Sequence, residues 1–539
     1  MVGKKSFNKA ECRSRDSQSD DTEIAVEEKR FLEVIRGRHS KLLAAALYME
    51  EVIEPPPVLT RPLLALILSE TEQLEELLDA YGARYNSRWL VFRELIAAAR
   101  IISRVGYTIL HIQHSLARYH LKIQKGSIAK DTEQAVGYLS ISLAAVMTQL
   151  MKHARSMGLE SHLEIYPDDY YSENLPPGRL PSDRRTRHVE EAEQTLLMLA
   201  TECLAMTARS SFLHTPDAES PSRYRSYIPD PVSEESLRML EYHFHNLQSL
   251  YDTYLLGTDL EAADPGLPEL RGHISMIFHL LQAATWSVHF YERHVLLSPR
   301  DFNVIEACDL NVDRLLRFVV GYCVVYASSY IRETRLLCQH ILNKYTEITT
   351  VEVPVPAYRG FHVRPATLVA KIIQHYGSHV TMELHGQKYD AGNTLDLFRA
   401  NESINAEKRR RIAERIEALP KRPAETGPEG RIRAVRGTIL ALAERNELVI
   451  YQHPLPIESH LAGKEQVEED LQDFIIESVK RLLALGKIDL ECQVKAKFTG
   501  DKRILNDLRL LAENGYGEDR FGNNIPLPSE LNYLRRAPW

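Results

Sequence analysis

Between about Thr22 and Leu342 apolar residues recur at spacings of three and four, the period of helices that bury one face. The first such run, Thr22–Val52, stops at Pro55-Pro56-Pro57. A second opens with Thr60 as N-cap and Pro62 in its first turn, and carries Leu63, Leu64, Ile67, Leu74 and Leu78. The third begins after Asn86-Ser87 and runs to about Lys122. Asp131 with Gln134 has the spacing of a capping box for a fourth, which ends near Gly158. Beyond a polar, proline-bearing segment at 166–183, helices fit 184–210, 233–257, 267–296 and 299–345, with Ser233 and Ser298 as N-caps. A proline-rich loop fills 214–232. The pattern predicts an all-helical region over 22–345, a bundle or stacked array, with a possible subdivision near 166–183. Residues 1–21 are polar and short of large apolar side chains, so disorder is expected there.

After Tyr345 the period changes. Val351, Val353 and Val355 alternate with Glu352, Pro354 and Pro356, a half-buried strand whose prolines confine it to a sheet edge. Gly360 allows a tight turn. From Pro365 the helical period returns in Leu368, Val369, Ile372, Ile373 and Tyr376, and Gly377 closes the run. Val380, Met382 and Leu384 alternate as a second strand. His385-Gly386-Gln387-Lys388 reads as a hairpin turn and Tyr389-Asp390-Ala391 as a third strand. Further on, Glu447–Tyr451 has strand character. Lys464–Leu485 places Val467, Leu471, Phe474, Ile475, Val479 and Leu482 on one helical stripe. Arg503–Leu511 fits one more helix.

A chain of 539 residues implies more than one domain. Its net charge of −8 gives no reason to expect nucleic-acid binding. Six scattered cysteines without a CxxC pair suit a reducing compartment and argue against a zinc module. No signal peptide is read at the N-terminus, and no stretch is expected to span a membrane without charges. These features point to a cytoplasmic protein.

The candidate chemistry lies at His362. The strand–Gly–His–x–Arg–Pro–helix order puts it at or beside a helix N-cap, where free N–H groups and the positive end of the helix dipole favour an anion. Arg364 adds a fork of donors suited to phosphate oxygens. A neutral imidazole, with an ordinary pKa of about 6.5, is nucleophilic near physiological pH. Such a site can carry a phosphoryl group without a metal. The competing reading is a histidine that only caps a helix.

Gly360-Phe361-His362-Val363-Arg364-Pro365-Ala366 resembles the signature of the HPr family, the histidine-containing phosphocarriers of the bacterial phosphotransferase system. Val363 is bulkier than the usual residue. The resemblance covers about residues 350–487. It implies a mainly α chain in which an α+β open-faced sandwich, a four-stranded antiparallel sheet with helices on one face, follows the helical region. That domain is expected over 348–487, with an insertion at about 400–437 and a C-terminal extension over 488–539. The insertion includes the basic run Lys408–Arg411 and a Pro/Gly loop from Pro420 to Gly430. Glu447–Tyr451 would be the fourth strand and Lys464–Leu485 the closing helix. The second helix would start near Asn393 or, in an alternative alignment, near Gly437-Thr438-Ile439-Leu440. By resemblance His362 is the phospho-acceptor, Arg364 assists it, and Val363 and Arg364 bind the phosphate. Asn393 falls where some relatives carry a regulatory serine, and an amide cannot be phosphorylated there.

The implied function is a phosphocarrier or a phosphorylation-dependent regulator. It would be charged in trans by an enzyme I-like donor that uses phosphoenolpyruvate, with no cofactor of its own. The helical region would bind an unknown protein partner, and no nucleic acid or membrane is expected. The alternative is a scaffold that uses the HPr-like domain only for docking. Other features are weaker. His111, His114, His243, His245, His289 and His294 lack the paired Glu-x-x-His pattern of a di-metal bundle and read as core or surface residues. The glycine-rich segment 514–524 lacks the Lys-Ser/Thr ending of a phosphate loop and reads as an ordered loop packed on a neighbouring domain.

Overall fold

The computed structural model describes residues 26–51, 58–121, 125–159, 166–173, 180, 186, 188–214, 221–297, 302–420, 427–452, 454, 455, 457 and 470–535. The expectations for 1–21, Pro55-Pro56-Pro57, Ser298, Lys464 and Val467 lie outside them. The described residues of 1–107, 139–175 and 298–310 form one compact unit. Those of 108–138, 176–297 and 311–539 form a second.

In the first unit, the run expected as one helix over 22–52 is two, α1 (Glu28–Arg36) and α2 (Ser40–Glu51). The break falls at Gly37, and His39 is buried just after it, with Nε2 2.7 Å from the carbonyl oxygen of Leu159. α3 (Arg61–Ala80) starts as predicted, with Thr60 Oγ1 accepting the Leu63 N–H and Pro62 in the first turn. A buried ion network joins α3 to α4 (Trp89–Ser115): the Arg93 guanidinium donates to Glu75, Asp79 and Glu94. α4 ends at Ser115, short of the expected Lys122. α5 (Lys125–Ser156) starts well before Asp131, so Asp131 caps nothing; its carboxylate accepts the Tyr326 hydroxyl at 2.6 Å instead.

Three helical stretches, Trp89–Ser115, Ser127–Ser156 and Ala192–Leu213, have the length and apolar composition to cross a membrane, contrary to the sequence-based expectation. Much of that apolar surface is turned inward: 78% of the most apolar window is buried in the first and about half in the other two.

The helical part of the second unit contains α6 (Ala192–Arg209), α7 (Glu234–Tyr254), α8 (Asp259–Ala263) and α9 (Gly266–Phe290). Ser233 caps α7 in a reciprocal box with Ser236. α9 is buried on nearly all sides, including Leu267, Ile274, Leu281 and Val288, so it is the central helix. The run expected as one helix over 299–345 is α10 (Val304–Ala307), which belongs to the first unit, and α11 (Val312–Leu316) and α12 (Val325–Tyr345) of the second, with a widened π turn at Arg317–Val324. Asn303 and Asn311 each cap a new start, and Asp309 takes a left-handed conformation between them.

Beyond it, β1 (Ile348–Pro354), α13 (Val363–Tyr376), β2 (Thr381–Leu384), β3 (Gln387–Asp390) and α14 (Thr394–Glu417) follow in order. His385 and Gly386 both have positive φ and form a two-residue turn, so β3 begins at Gln387, earlier than expected. α15 (Pro428–Glu444), β4 (Val449–Ile450), α16 (Leu471–Ala484), β5 (Ile488–Asp489), β6 (Lys495–Asp501) and α17 (Lys502–Glu513) complete the chain of elements. The four-stranded antiparallel sheet has the order β1-β6-β2-β3. β1 is an edge strand, as its prolines require. Val353, Met382, Leu384, Ala496 and Phe498 point to a core shared with α13, α17 and the first turns of α14. Thr350, Glu352, Lys497 and Thr499 line the opposite, polar face.

The expected fourth strand and closing helix are therefore misplaced. Val449–Ile450 pairs with Ile488–Asp489 in a separate two-stranded ladder, and β6 enters the main sheet in its stead. α17, not the helix ending near Leu485, packs on that sheet. The second helix starts after Asn393, and Gly437 lies inside α15. α14 continues past 400 without a break. Leu397, Ala400 and Ile404 join the sheet's core, while Ile412 and Ile416 join a second core with α15, α16 and β5. The intervening segment is thus a small subdomain with its own apolar centre.

Candidate functional site

The site is built on the turn between β1 and α13. Arg359 and Gly360 both have positive φ, 56° and 60°. A Cβ on Gly360 would lie 1.9 Å from Asn401 Oδ1, so a side chain there would have to displace Asn401 as well as adopt a left-handed backbone. Asn401, on α14, donates through Nδ2 to the Arg359 carbonyl oxygen at 3.2 Å. The Arg359 N–H donates to Asp489 Oδ2 at 2.6 Å, and its guanidinium lies 4.2 Å from the centre of the Tyr451 ring. Asp489 also receives two hydrogen bonds from the buried Lys408 ammonium, both 2.9 Å. The basic run placed in the insertion thus includes a buried cation, Lys408, that holds the turn through Asp489.

His362 follows as the N-cap residue of α13, and its imidazole makes no capping hydrogen bond. The imidazole is therefore not a side-chain cap of α13. The His362 side chain is 25% exposed. Arg364 is adjacent, 35% exposed, and its buried Nε has no hydrogen-bond partner. No described acceptor takes the N–H of Val363 or Arg364, which sit in the first turn of α13. Val363 is exposed. Phe361 points the other way, fully buried, edge-on to Tyr516.

The residue that sequence reading missed is Glu518. Its Oε2 lies 2.8 Å from His362 Nε2, and its Oε1 lies 3.8 Å from Arg364 Nε. The glycine-rich segment 514–524 delivers it. Tyr516 is buried and donates its hydroxyl to the Pro354 carbonyl oxygen at 2.7 Å, which anchors the loop beneath the site. Asp519 accepts the N–H groups of Phe521 and Asn523 and orders the following turn. Those hydrogen bonds draw the Asp519 carboxyl below its ordinary pKa, the Asn523 side-chain contact being the largest cause. The only sequence signal for this contact was the density of glycine and short polar residues over 514–524.

Asn393 is the N-cap of α14, its side chain accepting the Leu395 N–H at 3.0 Å. Three histidines of the helical region have partners there: His245 lies against Phe278, His294 stacks on Phe290, and His289 Nδ1 is 3.0 Å from Glu234 Oε2. His111 packs on His279, 4.3 Å between ring centres, in a cavity of about 650 Å³ also lined by Arg118, Tyr119 and Arg271. Among the described residues no group of three or more His, Cys, Asp and Glu side chains is placed to hold a metal ion. Comparison of the chain with protein-family models, curated proteins and solved structures finds no significant match.

Proposed function

We propose that β1, α13, β2, β3, the first turns of α14, β6 and α17 form an HPr-like phosphoryl-accepting domain with His362 as the acceptor. An enzyme I-like donor acting in trans would supply the group from phosphoenolpyruvate. The Arg364 guanidinium and the N–H groups of Val363 and Arg364 would hold its oxygens. The observation that carries this reading is a partly exposed imidazole at a helix N-terminus, uncommitted to capping, beside an arginine Nε without a hydrogen-bond partner. Four antiparallel strands with helices on one face and a polar opposite face support it, once Lys495–Asp501 is taken as the fourth strand. The subdomain between α14 and β6 and the helical units suit a regulator, in which a dianion at His362 alters partner binding, better than a simple shuttle. On this reading the protein is cytoplasmic, needs no cofactor, and is not phosphorylated at Asn393.

The test is incubation with phosphoenolpyruvate and an enzyme I-type donor. Acid-labile phosphate should appear on the wild type and be lost in His362→Ala. No label with a cognate donor, together with unimpaired partner binding by the variant, would leave the docking-scaffold reading in its place.

A further inference from the structure

We propose that Glu518 is a positioning residue for His362: its carboxylate holds the imidazole as the Nε2–H tautomer and leaves Nδ1 as the nitrogen that attacks phosphorus. The inference rests on the reading of His362 as a phosphoryl acceptor. It begins from the 2.8 Å contact between Glu518 Oε2 and His362 Nε2. An ionised carboxylate can only accept, so Nε2 must supply the hydrogen. In a neutral imidazole the lone pair then resides on Nδ1.

The carboxylate is a fixed part of the site. Glu518's side chain is only 12% exposed. Its backbone N–H donates to the Gly515 carbonyl oxygen at 3.2 Å, and it bridges to Asn524 across the loop. Buried Tyr516 anchors the segment two residues earlier. Its second oxygen lies 3.8 Å from Arg364 Nε, beyond hydrogen-bond reach, so Glu518 sits beside the arginine without taking that donor.

The step balances as follows. The Nδ1 lone pair forms the N–P bond while the bond from phosphorus to the donor's leaving atom breaks, and that electron pair departs with the donor. The Nε2 proton stays in the hydrogen bond to Glu518. The ring becomes a phosphoimidazolium, and its positive charge faces the carboxylate that already touches it. Attack through Nε2 would instead require Glu518 to move aside and would set the phosphoryl anion against it.

The test uses the full-length protein and two phosphoryl sources. Potassium phosphoramidate modifies histidine without an enzyme, and the isomer is read on the proteolytic peptide that carries His362. In the wild type the label should be confined to Nδ1. In Glu518→Gln, whose amide can also donate to Nε2, a major share should move to Nε2, and Glu518→Asp should restore the wild-type preference. With the enzyme I-type donor, Glu518→Gln should be labelled about tenfold more slowly. A wild type labelled on Nε2 or not labelled at His362 by phosphoramidate, or an isomer ratio unchanged in Glu518→Gln, would overturn the positioning role. Glu518-dependent phosphoramidate labelling with no transfer from the donor would instead retain the positioning and reject the carrier function. Thermal melting of each variant separates loss of positioning from loss of fold.

Discussion

Gly360 meets two demands at once: a left-handed backbone and no room for a side chain unless Asn401 is displaced. Gly360→Ala should therefore lower stability by about 2–4 kcal/mol, from backbone strain plus the clash, and abolish labelling of His362. Urea titration and the donor assay check the two effects. Lys408 presents a different kind of demand. Its ammonium and the Asp489 carboxylate are both buried, and Asp489 also receives the Arg359 and Leu490 N–H groups. Lys408→Met strands that carboxylate and should cost about 3–5 kcal/mol. Adding Asp489→Asn, which keeps an acceptor for the backbone, should recover part of the loss, and a lower urea midpoint in the double variant would contradict this. In the helical part, burial and then the nearby His111 push the His279 pKa down to about 3. Its folded value lies below the unfolded one of about 6.5, so the unfolded chain binds the proton first and stability falls as pH drops from about 6.5 towards 3. His279→Gln should flatten that part of the urea-midpoint profile, by at most ~1.4 kcal/mol per pH unit.

Among the elements, those set by local rules were legible in the sequence. β1 declared itself by alternating valines and by prolines that fit only an edge, and α13 by its apolar stripe, Pro365 and Gly377. The β2–β3 hairpin was found, though the turn proved to be only His385-Gly386. The fourth strand was not, for a physical reason. Ala496, Phe498 and Gly500 present one large apolar side chain to the core, a weaker pattern than Leu448-Val449-Ile450. What places β6 between β1 and β2 is pairing across more than a hundred residues of chain, as in Val351↔Phe498 and Met382↔Phe498, which no local period reveals. Glu518 was hidden likewise: it meets His362 across more than 150 residues of chain, on a loop that Tyr516 docks against β1. The segment after α17 is therefore structural as well as chemical. Tyr516, Leu527, Leu531 and Leu534 all belong to the sheet's core. A chain ending at Asn514 should melt well below the full-length protein and lose the isomer selectivity at His362.

At the scale of the second unit, α13 joins the candidate site to the helices that precede the sheet. Its first turn holds His362 and Arg364, and its far end rests on α6. Gly377 closes α13 with φ 68°, and a Cβ there would lie 2.6 Å from Leu204 Cδ1. Beside it, Arg503 of α17 stacks on Tyr376 and donates to Thr201 Oγ1 of α6 at 3.2 Å. On the proposed function, α13 is the packed element that links a charge at His362 to the helical part. The contact can be measured by a double-mutant cycle. Gly377→Ala should cost about 1–2 kcal/mol from the left-handed backbone, and more from displacing Leu204. Leu204→Ala should cost about 1–3 kcal/mol through lost packing. Because truncating Leu204 also clears the space that the new methyl needs, the double variant should be more stable than the sum of the two losses implies, by about 0.5–2 kcal/mol. Strict additivity would mean that α13 and α6 are not packed at Gly377 in solution, and would remove this route from the His362 site to the helices.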